Sequence, residues 1–286
     1  MMNRIYLNEL SLEGQFKNLD SFFDEIKPVM KCLKYVKEQG EKIYKSSDFY
    51  GRKITPDKTW NDLRGEKSDM AKRLKSLLLS TTDSPPFWDL EEMGQDLSAM
   101  YKWNDLDVSG TSIAEGAEMR GILFSFPHEK FADKTLNVIK NEKHMLNVFS
   151  ASSMKSFNEW LWKNENIDIY DYLNRRYEGT RLNFSRLERE HGFDYFEKDE
   201  ICDCIRAFDR FVQLEDWNEV FQDKSLVYKR YSPSSKGKNW FLTSKYSDKQ
   251  IDKFRCVNPK RCFGFRDDGI FYVLRMERDH SVSDNG

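Results

Sequence analysis

Ile5-Tyr-Leu-Asn-Glu-Leu10, Leu19-Asp-Ser-Phe-Phe-Asp-Glu-Ile-Lys-Pro-Val-Met-Lys-Cys-Leu-Lys-Tyr-Val-Lys-Glu38 and Lys42-Ile-Tyr-Lys45 are the stretches that decide the fold class. The first alternates apolar and polar residues with the period of two that a strand requires. In the second, Phe22, Ile26, Val29, Met30, Leu33 and Val36 recur at helical spacing, with Asp20 or Ser21 placed to cap the helix. Pro28 inside that pattern implies a kink or a later start, because proline has no N–H to continue the ladder. Gly40 stops the helix, and the third stretch reads as a second strand. Strand, helix, strand is the unit that builds parallel sheets, so an α/β start is expected.

The alternation continues outward from there. Met70, Leu74, Leu77 and Leu78 share one stripe of a helix over 67–80, which Ser84-Pro-Pro-Phe-Trp88 ends with an extended turn. Ser109 to Arg120 reads as a capped helix leading into the short apolar strand Gly121-Ile-Leu-Phe-Ser-Phe126. Thr135–Ile139 and His144–Phe149 are expected to pair across Lys140-Asn-Glu-Lys143. Ser150-Ala-Ser-Ser153 marks a boundary. Helical periodicity resumes at Phe157, Trp160, Leu161, Ile167, Tyr170 and Leu173, and again over 198–212. Beyond the turn-rich Ser232–Lys238, the strands Arg261–Arg266 and Ile270–Glu277 are joined by Asp267-Asp-Gly269, and Ser281–Gly286 is expected to be a disordered tail. The expected architecture is an α/β N-terminal domain over 1–150, a helical region over 151–223, and a small basic α+β C-terminal module with a β-hairpin over 224–286.

The 286 residues include 46 Lys and Arg against 48 Asp and Glu, a near balance that conceals two opposite parts. From residue 224 onward there are 14 basic residues against 7 acidic ones, whereas residues 1–223 carry 32 against 41. Such asymmetry bears on long-range attraction of polyanions, not on fold. No apolar run approaches the roughly 20 residues needed to cross a bilayer, and the N-terminus lacks the basic head and apolar core of a secretory signal. A cytoplasmic protein with no membrane partner is expected. Five cysteines, an odd and sparse set, fit a reducing compartment. The pairs Cys202/Cys204 and Cys256/Cys262 lack zinc-ligand spacing, so neither a metal nor another cofactor is expected.

No phosphate-binding Gly-x4-Gly-Lys-Ser/Thr loop, Gly-x-Gly-x-x-Gly turn, His-Glu-x-x-His helix or Gly-x-Ser-x-Gly elbow occurs. Three patterns remain. Arg186-Leu-Glu-Arg-Glu-His191 has the arginine-to-histidine spacing of one class of helical ribonucleases, in which a cation steadies phosphate beside an imidazole, although a solvated surface helix is the commoner meaning. Asp105, Asp107, Glu115 and Glu118 straddle a strand-to-helix junction and would suit a divalent metal in a metal-dependent nuclease, against the commoner solvated acidic face. Third, the terminal hairpin interleaves basic and aromatic residues. Period two places Arg261, Phe263 and Phe265 on one face and Cys262, Gly264 and Arg266 on the other. On the return strand it sets Tyr272, Leu274 and Met276 against Phe271, Val273 and Arg275. One face is expected to join a core while Arg255, Lys260, Arg261, Arg266 and Arg275 form a phosphate-binding rim.

The cadence Ile251-Asp-Lys-Phe-Arg-Cys256, Lys260-Arg-Cys-Phe-Gly-Phe-Arg266, Ile270-Phe-Tyr-Val-Leu-Arg275, ending in Asp279-His280, resembles C-terminal modules of bacterial proteins linked with toxin-antitoxin and phage-defence genes. More loosely it is similar to the terminal strands of RelE-type messenger-RNA interferases, over about 40 residues. That resemblance implies a defence or toxin-like effector that binds RNA and cleaves it without metal. Arg255, Lys260, Arg261 and Arg266 would bind phosphate, and His280, Tyr272 and Arg275 would be the catalytic set. The rival expectation is a non-enzymatic subunit whose acidic and basic parts dock different protein partners, an antitoxin among them.

Overall fold

In the computed structural model, residues 4–67, 69, 72, 86–91, 94–233 and 235–282 are described. Most of the helix expected over 67–80, Ser84 and Pro85 of the expected turn, and the last four tail residues lie outside them. The chain divides into two compact units, residues 1–166 and 167–286, and each contains one mixed sheet.

The first unit is built on a seven-stranded sheet in the order β2-β1-β5-β7-β6-β3-β4. Its strands are β1 (Ile5–Asn8), β2 (Ile43–Tyr44), β3 (Tyr101–Trp103), β4 (Leu106–Asp107), β5 (Ile122–Ser125), β6 (Lys134–Lys140) and β7 (His144–Ala151). The pairs β1–β2, β1–β5 and β5–β7 are parallel, and the remaining pairs are antiparallel. The expected strand, helix, strand unit is present, with two helices in place of one: α1 (Leu19–Glu25) and α2 (Lys27–Glu38). Pro28 sits in the first turn of α2, where its missing N–H costs nothing. The cap of α1 is Asn18 rather than Asp20 or Ser21. Its side chain accepts from the Ser21 N–H while the Ser21 hydroxyl accepts from the Asn18 N–H.

Helix α3 (Ser112–Glu118) covers one face of this sheet, packing Ile113, Ala114 and Ala117 against Tyr6, Leu123 and Val148. Gly116 permits the approach, since a Cβ there would lie 3.1 Å from Leu123 and 3.2 Å from Val148. Helix α4 (Met154–Lys163) packs on the other face, with the Phe157 ring edge-on to Phe124 at 4.9 Å. Strands β6 and β7 form the expected hairpin, in which Lys140 faces His144 and both Asn141 and Glu142 are left-handed at φ 51° and 58°.

In the second unit, α5 (Ile169–Arg176), α6 (Lys198–Gln213) and α7 (Trp217–Gln222) accompany a sheet ordered β8-β12-β11-β10-β9. The strands are β8 (Leu182–Asn183), β9 (Lys229–Arg230), β10 (Asp252–Val257), β11 (Lys260–Asp267) and β12 (Ile270–Glu277). The expected terminal hairpin is β11–β12, turned by left-handed Asp268 and Gly269 at φ 46° and 75°. Phe211 of α6 packs against Phe254 and Phe271 on one face, and the opposite face builds a core from Tyr231, Phe241, Tyr246, Phe263, Phe265 and Leu274. Period two fails at one point. Phe263 pairs with Arg275 but Gly264 pairs with Val273, so Leu274 is an extra residue in a β-bulge. The bulge turns Arg275 onto the face of Phe263 and away from the company of Phe271 and Val273 that strict alternation expects.

Candidate nucleic-acid interface

Residues 167–223 hold 15 acidic and 8 basic residues, so the unit that contains the basic terminus carries 22 of each sign. The charge asymmetry of the linear sequence is cancelled within one fold. Contacts show how. Arg275 is 5 % exposed; its Nε donates to Glu188 at 2.6 Å, an Nη donates to the Trp240 carbonyl, and its guanidinium lies over the Trp240 and Phe241 rings at 5.1 and 4.6 Å. Lys260, also buried, pairs with Glu200 at 2.8 Å, and Arg278 takes the other oxygen of that carboxylate at 2.9 Å. These donors, Lys260 first, with the Glu197 N–H, hold the Glu200 carboxyl down to about 2. Arg275 and Lys260 are therefore built into the fold, because a buried cation requires a fixed anion.

Arg255 and Arg261 stand directly opposite each other on β10 and β11. Arg261 donates to the Pro259 and Lys260 carbonyls at 2.9 Å and meets His280 Nε2 at 2.7 Å. Because a guanidinium has no acceptor, His280 accepts in that bond and its ring proton belongs on Nδ1. Arg255 Nε is buried with no hydrogen-bond partner, and Arg261 has Glu277 of β12 as its register partner on the other side. Arg255, Arg261 and His280 therefore converge at one end of the hairpin. Tyr272 does not join them: it pairs with Phe265, four residues or about 13 Å along β11 at the usual strand rise. Of the expected catalytic set, His280, Tyr272 and Arg275 occupy three separate places.

Arg266 is exposed near the hairpin tip, with its guanidinium 4.9 Å from the Trp217 ring and 5.4 Å from Phe221. Trp217 is fixed by donating to the Gly269 carbonyl at 3.1 Å, and Phe221 is 46 % exposed. Tyr228 closes the cluster, its ring 5.7 Å from Trp217 and 5.3 Å from Phe221. Burial, and next the nearby Asp252, which accepts from the hydroxyl, raise the Tyr228 phenol far above its ordinary value and keep it neutral. On the opposite face Arg186 lies 4.2 Å from the Tyr272 ring, which stacks on Phe265 at 5.4 Å. The sequence pattern missed Trp217 and Phe221 because they lie in α7, some 45 residues before Arg266. An arginine at a hairpin tip beside an aromatic pair at i, i+4 was the available signal.

The other candidates take structural roles. Arg186 and His191 do not share a helix: only a short 3-10 turn covers Arg189–His191, and His191 turns its ring to Trp240 at 5.2 Å. Glu188, Glu190 and His191 are the group of three metal-capable side chains among the described residues, and Glu188 is already bound by Arg275 and Ser244. The acidic group near Asp105 is dispersed. Glu115 accepts from the Gly94 and Gln95 N–H groups, Asp107 from Ser109, and Glu118 from Tyr101 and Lys140. Cys204, Cys256 and Cys262 are free thiols, and burial raises Cys256 and Cys262 well above their ordinary value.

No protein-family model, curated protein or solved structure matches the chain. Among the described residues no helix is long and apolar enough to cross a membrane.

Proposed function

We propose that the 167–286 unit is a single-stranded RNA-binding module that works by stacking more than by bulk charge. The carrying observation is the exposed Arg266 over Trp217 and Phe221. Aromatic faces accept any base and are worth about 1–3 kcal/mol per stacked base, while an adjacent arginine engages phosphate. A unit with 22 charges of each sign has little net field to attract a polyanion, which favours such local contacts. The likeness of the terminal strands to messenger-RNA interferases supports RNA as the ligand. Titrating a fluorescent 10- to 15-nucleotide RNA of roughly one or two stacking-site lengths with the whole protein tests this. Trp217→Ala and Arg266→Ala are each expected to weaken binding by about 10-fold, and undiminished binding in both would remove the assignment.

Cleavage at the Arg255, Arg261 and His280 corner is the second reading, favoured by two arginines beside an imidazole. Arg261 would turn from His280 to the phosphate, freeing Nε2 to take the 2′-hydroxyl proton. RNA cut in the presence of EDTA by the wild type and left intact by His280→Ala is the expected result; equal cutting by both would end this reading.

A further inference from the structure

Cys204 of α6 and Cys256 of β10 are brought together by the packing of that helix on its sheet. On α6, Cys204, Phe208 and Phe211 form one fully buried stripe at helical spacing. On β10, alternation puts Cys256 on the face of Phe254, whose ring meets Phe208 at 6.1 Å and Phe211 at 4.9 Å. The step from Phe208 to Cys204 is about 6 Å along a helix and that from Phe254 to Cys256 about 6.6 Å along a strand, so the thiols fall in register beyond the aromatic rings. There the Cys256 thiol is hydrogen-bonded to that of Cys204. Cys262, the register partner of Phe254, is fully buried on the same face, and its interaction with Cys204 is electrostatic.

Access and backbone freedom fall on one member of the pair. Cys256 is half-buried and lines an open cavity of about 280 Å³ with Ala207, Arg206, Arg210 and Ser225. Both arginines are paired, Arg206 with Asp203 and Arg210 with Asp223, so the cavity presents a sulfur rather than a charge. Cys204 lies beneath, closed to solvent but in contact with Cys256. Cys256 is also the residue that the β10–β11 register skips, between Arg255 opposite Arg261 and Val257 opposite Lys260. A bulged residue is unpaired in the ladder. Cα atoms of α6 and β10 already come within 8 Å of one another, so a small movement reaches the roughly 4.4–6.8 Å between Cα atoms that a disulfide spans.

We infer that Cys204 and Cys256 are a redox-modification site, closed to an internal disulfide by a low-molecular-weight disulfide such as oxidised glutathione. The Cys256 thiolate attacks one sulfur of the reagent, forming a mixed disulfide and expelling one glutathione thiolate. Cys204, having given up its proton, attacks the Cys256 sulfur, which closes Cys204–Cys256 and expels the second glutathione thiolate. Two protein thiols are oxidised, one disulfide is reduced to two thiols, and the two protons from the protein end on the two glutathione molecules. Burial raises the Cys256 thiol well above its ordinary value, so the exchange is slow at neutral pH and quickens as pH rises. The same burial favours the product, because a disulfide carries no charge to desolvate. RNA binding and cleavage play no part in this chemistry.

Incubating the native whole protein with oxidised glutathione, quenching with acid and mapping the non-reduced peptides by mass spectrometry tests the assignment. The expected product is a peptide pair joined through Cys204 and Cys256, with no glutathione left at either position. Cys204→Ser should stop at the mixed disulfide and carry glutathione on Cys256, whereas Cys262→Ser should close the bond as the wild type does. Between about pH 7 and 9 the rate should rise about 10-fold per pH unit. A Cys204–Cys256 bond that forms only in denaturant, modification of Cys202 alone, or a rate independent of pH would overturn the inference. The wild-type peptide map reads the bond directly and decides the matter whether or not the variants fold.

Discussion

Replacing Arg275 by alanine separates a structural arginine from a ligand-binding one. The wild-type side chain is 7 % exposed, pairs with Glu188 at 2.6 Å, donates to the Trp240 carbonyl and covers two aromatic rings. Removing one partner of a buried ion pair costs about 3–5 kcal/mol, because the other charge is stranded. Glu188 keeps the Ser244 hydroxyl at 3.2 Å and is 16 % exposed, so a loss of about 2–4 kcal/mol is expected here. At about 3–6 °C per kcal/mol for a unit of this size, the midpoint falls by about 10 °C. Thermal denaturation followed by circular dichroism measures it, with Glu188→Gln and the double variant completing a cycle whose coupling should exceed about 1 kcal/mol. Arg275→Lys, which keeps the charge and loses the planar fork, should fall between. A loss below about 0.5 kcal/mol, typical of a surface residue, would refute the reasoning and return Arg275 to the phosphate-binding rim.

Gly264→Ala should destabilise the hairpin by about 1–3 kcal/mol, read as a lower denaturation midpoint, because its Cβ would collide with the Tyr272 carbonyl and lie 2.7 Å from Phe271. The Glu200 carboxyl is lowered in the folded state from 4.5 to about 2, so its contribution to stability is complete above pH 4.5 and disappears as pH falls towards 2. Lys260→Met should shrink that acid-dependent loss, and a stability profile between pH 2 and 6 that matches the wild type would contradict it. His280→Ala should leave RNA affinity nearly intact, measured by fluorescence anisotropy, since His280 contacts Arg261 and not the aromatic cluster.

Local periodicity made much of the fold legible. The β1, α2, β2 unit carries its pattern within about 40 residues, the β6–β7 hairpin, α6 and the β11–β12 hairpin within some 20, and turn chemistry fixed both hairpins. What periodicity missed depends on pairing at a distance. The bulge at Leu274 is a property of two strands together, and it moved Arg275 to the other face. Glu188 and Glu200, which neutralise Arg275 and Lys260, lie 87 and 60 residues from their partners, so a linear count of charge placed free cations where the fold holds ion pairs. Asp107, Glu115 and Glu118 illustrate the converse: neighbours in sequence, they are taken up separately, Asp107 by Ser109, Glu115 by backbone N–H groups, and Glu118 by Tyr101 and Lys140. Trp217 and Phe221 were visible as aromatic residues, but their meeting with Arg266 was not.

The salt dependence of RNA binding by the whole protein, compared with that of Trp217→Ala, tests the stacking proposal most directly. With one or two phosphates engaged, log affinity should fall with log salt at a slope of about −0.7 to −1.4, and Trp217→Ala should lower affinity by about 10-fold at every salt concentration. A slope steeper than about −4 with affinity unchanged in Trp217→Ala would contradict it, and so would the absence of RNA binding at low salt.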